Sequence, residues 1–231
     1  MKRFYKQVSV RQETGGWQVT LDERGTKTVK GSPQAVPTRS LAEALAGEWA
    51  DQGETIDPTR FIFRDMADYA IDIVSFDRGA LITKLLAYGE TDTLCYRADP
   101  DEPLYARQQE VWEPLLSGFE AELGATFTRI SGIIHRPQEI DVLRRLHERL
   151  EEQSAFALTG LESLASLSAS LTIALLAIKP NSNTTELWDA ASLEEEWQAD
   201  LWGRDEEAEQ RRERRRSSFI KASEFVALAR D

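Results

Sequence analysis

The spacing of apolar residues changes at Pro37, and that change constrains the fold more than any other feature of the chain. Before it, Tyr5-Lys6-Gln7-Val8-Ser9-Val10 and Trp17-Gln18-Val19-Thr20-Leu21 alternate apolar and polar at period two, with Gly15-Gly16 between them. This pattern predicts a hairpin. Asp22-Glu23-Arg24-Gly25 then turns the chain into a third extended piece around residues 26–29. Three short strands cannot bury an apolar face unaided, so the following helices are expected to cover them. After Pro37, Ser40-Leu41-Ala42-Glu43 has the form of a capping box, and Leu41, Leu45 and Trp49 recur at helical spacing. Further helices are expected near residues 60–88, 104–124, 138–151, 154–178, 184–202 and 204–228, with Pro137, Pro180 and Gly203 at breaks. The segment from Phe156 to Ile178 carries Leu161, Leu164, Leu167, Leu171 and Leu175 beside the small Ala165 and Ala169. A helix apolar over much of its circumference is a buried centre. The fold class is therefore α+β: a small N-terminal β domain (hairpin or meander) over residues 1–37, open to completion by the helices after it, and a larger α-helical domain over residues 38–231.

The net charge of −12 repels a phosphate backbone and argues against general nucleic-acid binding except through a local basic patch. The candidate patch Arg211, Arg212, Arg214, Arg215 and Arg216 is interleaved with Glu206, Glu207, Glu209 and Glu213, which favours a solvated helix face laced by i,i+4 pairs over the alternative of an RNA-binding strip. The lone Cys95 has no internal disulfide partner and fits a reducing compartment. The chain opens Met1-Lys2-Arg3-Phe4-Tyr5 with no apolar signal core, and its longest apolar stretch, residues 171–178, is too short for a bilayer. These features point to a cytoplasmic protein without membrane insertion.

Catalytic patterns are missing. No phosphate-cradling glycine motif occurs, and no Gly-x-Ser-x-Gly elbow. His135 and His147 are twelve residues apart and lack a second ligand at helical offset, so no metal and no cofactor is expected. Cys95 lies between Leu94 and Tyr96, an apolar setting that makes it a small core residue, not a nucleophile. Trp49 reads as a core anchor in line with Leu41 and Leu45, and of the neighbours Phe4 and Tyr5 only one needs to be buried.

Ser192-Leu193-Glu194-Glu195-Glu196-Trp197-Gln198 is the most suggestive local feature. In one reading Ser192 caps a helix, Glu195 completes the box, and the acidic first turn meets the positive end of the helix dipole. In the other, Glu194, Trp197 and Leu201 at i, i+3 and i+7 form a protein-binding stripe, an aromatic anchor beside a charge that selects the partner. The residues alone favour the two readings equally.

A spaced series of phrases resolves the choice. They are Arg3-Phe4-Tyr5-Lys6, Leu21-Asp22, Lys27-Thr28, Glu48-Trp49, Ala70-Ile71-Asp72, Thr91-Asp92-Thr93-Leu94-Cys95-Tyr96-Arg97, Trp112-Glu113-Pro114, Gly132-Ile133, and Trp197-Gln198 followed by Trp202-Gly203-Arg204-Asp205. In order and separation this set resembles the assembly chaperones that hold the α subunit of F-type ATP synthase. Departures are local: Val29 stands where that family tends to place proline, and residues 168–171 lack its usual Gly-Ser. The resemblance implies an ATP-independent chaperone, not an enzyme, that binds the unassembled α subunit, shields its β-facing surface and promotes assembly of the catalytic head. It implies partner-binding roles for Glu194, Trp197, Gln198 and Leu201, structural roles for Tyr5, Trp49 and Cys95, a monomer, and a mitochondrial matrix location for eukaryotic relatives. The alternatives are a small-molecule enzyme whose site assembles only in three dimensions, with His135 or Cys95 in a deep pocket, and a scaffold with another client.

Overall fold

A computed structural model describes residues 1–132 and 136–230. The fold is α+β, a short N-terminal strand region followed by helices. The chain divides into two compact units, the first formed by Met1–Arg78 with Ser154–Gly160 and the stretch from Glu224, the second by Gly79–Gln153 with Leu161–Ser223.

In the first unit, β1 (Val8–Glu13) and β2 (Gly16–Leu21) pair antiparallel with Glu13 opposite Gly16, so Thr14 and Gly15 form the loop. Gly16 is required here: its φ is +132°, and a Cβ would sit 2.3 Å from the Val36 carbonyl oxygen. β3 is Arg24–Gly25 and not residues 26–29 as expected, and it pairs with β2 through a two-residue turn at Asp22 and Glu23, both left-handed (φ 47° and 70°). The Asp22 carboxylate accepts the Lys6 and Gln7 amides at 2.8–3.2 Å, which holds its pKa below the usual carboxylate value. β4 (Ala35–Val36) pairs with the other end of the same β2 edge.

The stretch beyond β3 is not a strand because side chains claim its backbone. Val29 donates its amide to Asp68 and Lys30 donates to Asp72, each at 3.1 Å, while the Thr28 hydroxyl donates to Asp72 at 2.8 Å. A proline in place of Val29 would have no such donor. Burial raises the Asp68 carboxyl pKa, against the pull of Gln34 and the Val29 amide.

α1 (Arg39–Ala50) starts one residue before the expected box. Thr38 is its cap, accepting the Leu41 amide at 3.1 Å, and Ser40 lies inside the helix. Glu43 consequently does not reach back but pairs with Arg39 at 2.7 Å. Leu41, Leu45 and Trp49 are buried as expected, and of the N-terminal aromatics Tyr5 is buried while Phe4 is exposed. The Tyr5 hydroxyl donates to the Trp49 carbonyl at 2.6 Å, and the Trp49 ring packs on Tyr5 and Phe61 with centroids 5.5 and 4.5 Å away.

Glu48 has a role the sequence does not advertise. α2 (Ile62–Tyr69) opens at Phe61, whose side chain cannot cap, and Glu48 supplies the acceptor from a different helix. Its carboxylate takes the amides of Ile62, Phe63 and Arg64 at 2.7–2.9 Å. Burial raises the Glu48 pKa, and the three amides oppose that rise. α2 continues as a π-turn over Ala70–Val74 and ends where Ser75 donates both its amide and its hydroxyl to the Ala70 carbonyl. The single helix expected over residues 60–88 is therefore two.

The second unit holds most of α3 (Arg78–Glu90), then β5 (Tyr96–Arg97), α4 (Pro103–Leu123), β6 (Ile130–Ser131, parallel to β5) and α5 (Ile140–Glu151). α6 (Ala155–Ser168) and α7 (Leu171–Ala177) replace the continuous helix expected over residues 154–178. Ala169 breaks it with φ +50°, and its carbonyl accepts the Thr93 amide and hydroxyl at 3.1 and 2.8 Å. Ser170 then caps α7 through the Ile173 amide and donates its hydroxyl to the fully buried Asp92 at 2.6 Å. Asp92 also accepts the Thr172 and Leu94 amides, so the residue 91–97 phrase and the start of α7 share one acceptor. Leu161, Leu164, Leu171 and Leu175 are buried, as the sequence indicates, while Leu167 is only partly buried. The helix expected over residues 184–202 also divides, into α8 (Thr184–Ala191) and α9 (Leu193–Trp202), before α10 (Glu206–Arg230).

Replacing Glu48 by alanine leaves three helix-start amides without their charged acceptor. Charge-assisted hydrogen bonds of this kind are worth about 1.5–3 kcal/mol net, so Glu48→Ala is expected to lose about that much stability in urea titrations. The solvent-exposed Glu43→Ala should change stability by under about 0.5 kcal/mol.

Candidate partner-binding face

The face is built on α4, whose side chains hold the segment from α8 to α9. The buried Trp112 donates its indole N–H to the Ala190 carbonyl at 2.8 Å. One turn earlier, the fully buried Gln108 accepts the Ala98 amide at 2.8 Å and donates to a Glu194 carboxylate oxygen at 2.6 Å. Farther along the same helix Glu113 receives Arg97 at 3.1 Å and Arg129 at 2.6 Å. The hydrogen bond from Arg129 leads the causes that lower the Glu113 pKa, and the Arg97 guanidinium lies 5.5 Å over the Trp112 ring.

Ser192 does not act as the expected cap. Its amide and hydroxyl both donate to the Trp188 carbonyl, at 2.9 and 2.8 Å, so it closes α8 instead of opening α9. Glu195 correspondingly completes no box and pairs with Arg215 of α10 at 3.2 Å. A serine that ends one helix with φ −95° and ψ 10° cannot also present its hydroxyl to the next.

Glu194 is exposed as a residue, yet its tethered carboxyl is partly desolvated, which raises its pKa against the Gln108 hydrogen bond. Trp197 is half-buried, Gln198 is exposed, and Leu201 is 64% exposed. At 100° per residue all four fall within one sector of α9. Trp202, 86% exposed, stands about 40° beyond Gln198, at the edge of that sector. Its signal was available: two large apolar residues, Leu201-Trp202, immediately before a helix-breaking Gly203 (φ +99°) with acidic sequence on both sides.

Ion pairs hold this apolar end. Arg204 reaches Glu196 at 2.9 Å, Asp200 at 2.8 Å and Glu209 at 3.2 Å. The buried Arg212 joins Glu196 at 2.6 Å and also pairs with Glu209. The arginine run is thus only partly the local, solvated face expected. Arg211 pairs with Glu207 along α10, whereas Arg212 and Arg215 cross to α9, and Arg215 also lies over the Trp188 ring at 5.5 Å.

Tyr5, Trp49 and Cys95 are buried, and burial pushes the Cys95 thiol far above its ordinary pKa. His147 is exposed with Nδ1 3.9 Å from Glu151, and His135 lies outside the described residues. Among the described residues no group of three His, Cys, Asp or Glu could hold a metal ion, and no helix is long and apolar enough to cross a membrane.

The model of the family described as ATP12 chaperone protein matches residues 2–120, just over half of the chain. The chain belongs to that family. Its role is in ATP synthase assembly. The mitochondrial protein atp12 of Schizosaccharomyces pombe is 26% identical over 219 residues, which span 90% of this chain and 75% of the yeast protein. The crystal structure of Atp12 from Paracoccus denitrificans is 36% identical, with a TM-score of 0.93 over 99% of this chain and 98% of that one. A point mutant of the same Paracoccus protein gives the same TM-score and identity over 97% of its chain. The family match ends at residue 120, while the structural likeness continues through α8, α9 and α10.

Because the Glu113 pKa is depressed in the folded chain, its contribution is present above the ordinary carboxylate value of about 4.3 and is lost as pH falls through the lower folded value. Glu113→Gln is therefore expected to flatten the acid limb of a stability-versus-pH curve below about pH 4.3, measured by thermal melts at several pH values.

Proposed function

We propose that this protein binds the unassembled α subunit of F-type ATP synthase through the outer sector of α9, covers the surface that will face β, and releases it as the catalytic head forms. An isolated subunit of an oligomer exposes an apolar interface, and exposed patches of that kind aggregate. A stoichiometric binder lowers the free concentration of that state by mass action and yields when β offers a more extensive contact. No nucleotide hydrolysis is needed for such a cycle. The protein acts as a monomer in the bacterial cytoplasm and binds no nucleic acid.

The observation that carries this reading is the exposed Leu201-Trp202 pair at the end of a helix clasped by Arg204 and Arg212. A tryptophan held in solvent on a stiff element has the character of an interface hot spot, because little order is lost on docking. Glu194, tethered by Gln108 yet open to solvent, supplies the charge that selects the partner.

Trp202→Ala and Glu194→Lys should each leave the circular dichroism spectrum unchanged. Trp202→Ala should weaken capture of free α subunit by roughly 30-fold or more, the scale of a 2 kcal/mol hot spot, and Glu194→Lys should weaken it comparably. Pull-down and titration with purified α subunit check this. Undiminished binding by both variants would remove α9 from the interface.

A further inference from the structure

We infer that the first unit carries a second recognition site, a basic and aromatic cleft that takes an extended peptide segment presenting a carboxylate beside an aromatic or large aliphatic side chain. The cleft, about 580 Å³, lies between the N-terminal segment, the β2–β3 turn and α1, and is lined by Phe4, Leu21, Asp22, Arg24, Lys27 and Trp49. All of these belong to the first unit, whereas α9 belongs to the second. The inference does not depend on the identity of the client bound at α9.

The walls are fixed and one side is left open. Trp49 is held through its carbonyl by the Tyr5 hydroxyl, and the β2–β3 side is locked by the Thr26 amide on Val19 and by Gln18 on the Thr26 carbonyl, at 2.9 and 2.7 Å. Phe4, next in the chain to the buried Tyr5, is 63% exposed. Sites on rigid elements with one exposed aromatic bind by filling space that is already shaped.

Charge selects the occupant. Arg24 and Lys27 are exposed, and among the described residues neither has a carboxylate at ion-pairing distance. The one acid in the lining, Asp22, already accepts the Lys6 and Gln7 amides. Asp22 feels the Arg24 charge without closing an ion pair with it, so both cations keep their charge toward the cleft, whereas Arg204, Arg211, Arg212, Arg215 and Arg216 meet carboxylates directly. Unpaired cations beside Phe4, Leu21 and Trp49 match a ligand that is both acidic and apolar. A bare inorganic anion would leave the apolar wall uncovered, and a nucleic acid would meet the repulsion of the whole chain.

The test is fluorescence anisotropy of the full-length protein with three labelled hexapeptides: alternating glutamate and phenylalanine, the same with lysine for glutamate, and the same with alanine for phenylalanine. The expected result is that the acidic aromatic peptide binds at least about tenfold more tightly than either control and weakens as salt is raised from about 50 to 500 mM. Arg24→Glu with Lys27→Glu should abolish that binding, Phe4→Ser should weaken it, and Trp202→Ala should leave it unchanged. Phe4, Arg24 and Lys27 are exposed, so these variants should keep the wild-type melting temperature, which is measured alongside. Equal binding of all three peptides, absence of binding, or indifference to the charge reversal would overturn the proposal, as would full displacement of the peptide by a short oligonucleotide.

Discussion

A backbone amide withdrawn from water needs an acceptor, and in this chain the acceptor is repeatedly a carboxylate from another element. Glu48 of α1 closes the first turn of α2, and Asp68 and Asp72 hold the loop after β3. Asp92 binds its own turn to the start of α7. Each arrangement ties the position of one segment to the position of another. Local caps such as Thr38 and Ser170 start some helices, but the start of α2 and the turn into α7 are also held by side chains from elsewhere in the chain.

The same logic positions the proposed binding face. Gln108 on α4 sits between the Ala98 amide and the Glu194 carboxylate, and Trp112 holds the end of α8. With α8 closed by Ser192 and α9 clasped to α10 by Arg204 and Arg212, Leu201 and Trp202 are presented outward with few ways to fold back. An exposed tryptophan on a loose segment would collapse onto the nearest apolar surface. The two ends of the chain's chemistry also differ in sign: acidic residues surround the apolar end of α9, and unpaired cations flank the aromatic cleft of the first unit.

Much of the fold was legible because burial imposes period. Alternation marked β1 and β2, and the leucines of residues 161–175 marked the helices at the centre of the second unit. The divisions within those helices were less visible. Ala169 is a good helix former by propensity, yet it adopts a positive φ because its carbonyl serves Thr93. Ser192 and Ser40 both looked like caps, but a cap requires the helix to start at that residue, and the local sequence does not state where the neighbouring carbonyls will lie. At the candidate face, the spacing of Glu194, Trp197 and Leu201 was legible as a stripe and Gln198 only through the family resemblance, whereas the tether from Gln108 and the exposure of Trp202 were not legible.

The sequence by itself determined the α+β class, the hairpin, the buried line of Leu41, Leu45 and Trp49, and the leucine-rich centre, because alternation and helical spacing are properties of consecutive residues. Its ordered phrases also carried the likeness to ATP synthase assembly chaperones. Tertiary structure alone decided that Glu48 caps a helix it does not belong to, that Arg212 and Arg215 leave their own helix for α9, and that Trp202 faces solvent. The first two depend on which groups meet across 14 to 20 residues of chain, where hydrogen bonds and ion pairs are chosen by proximity in space and not by spacing in sequence.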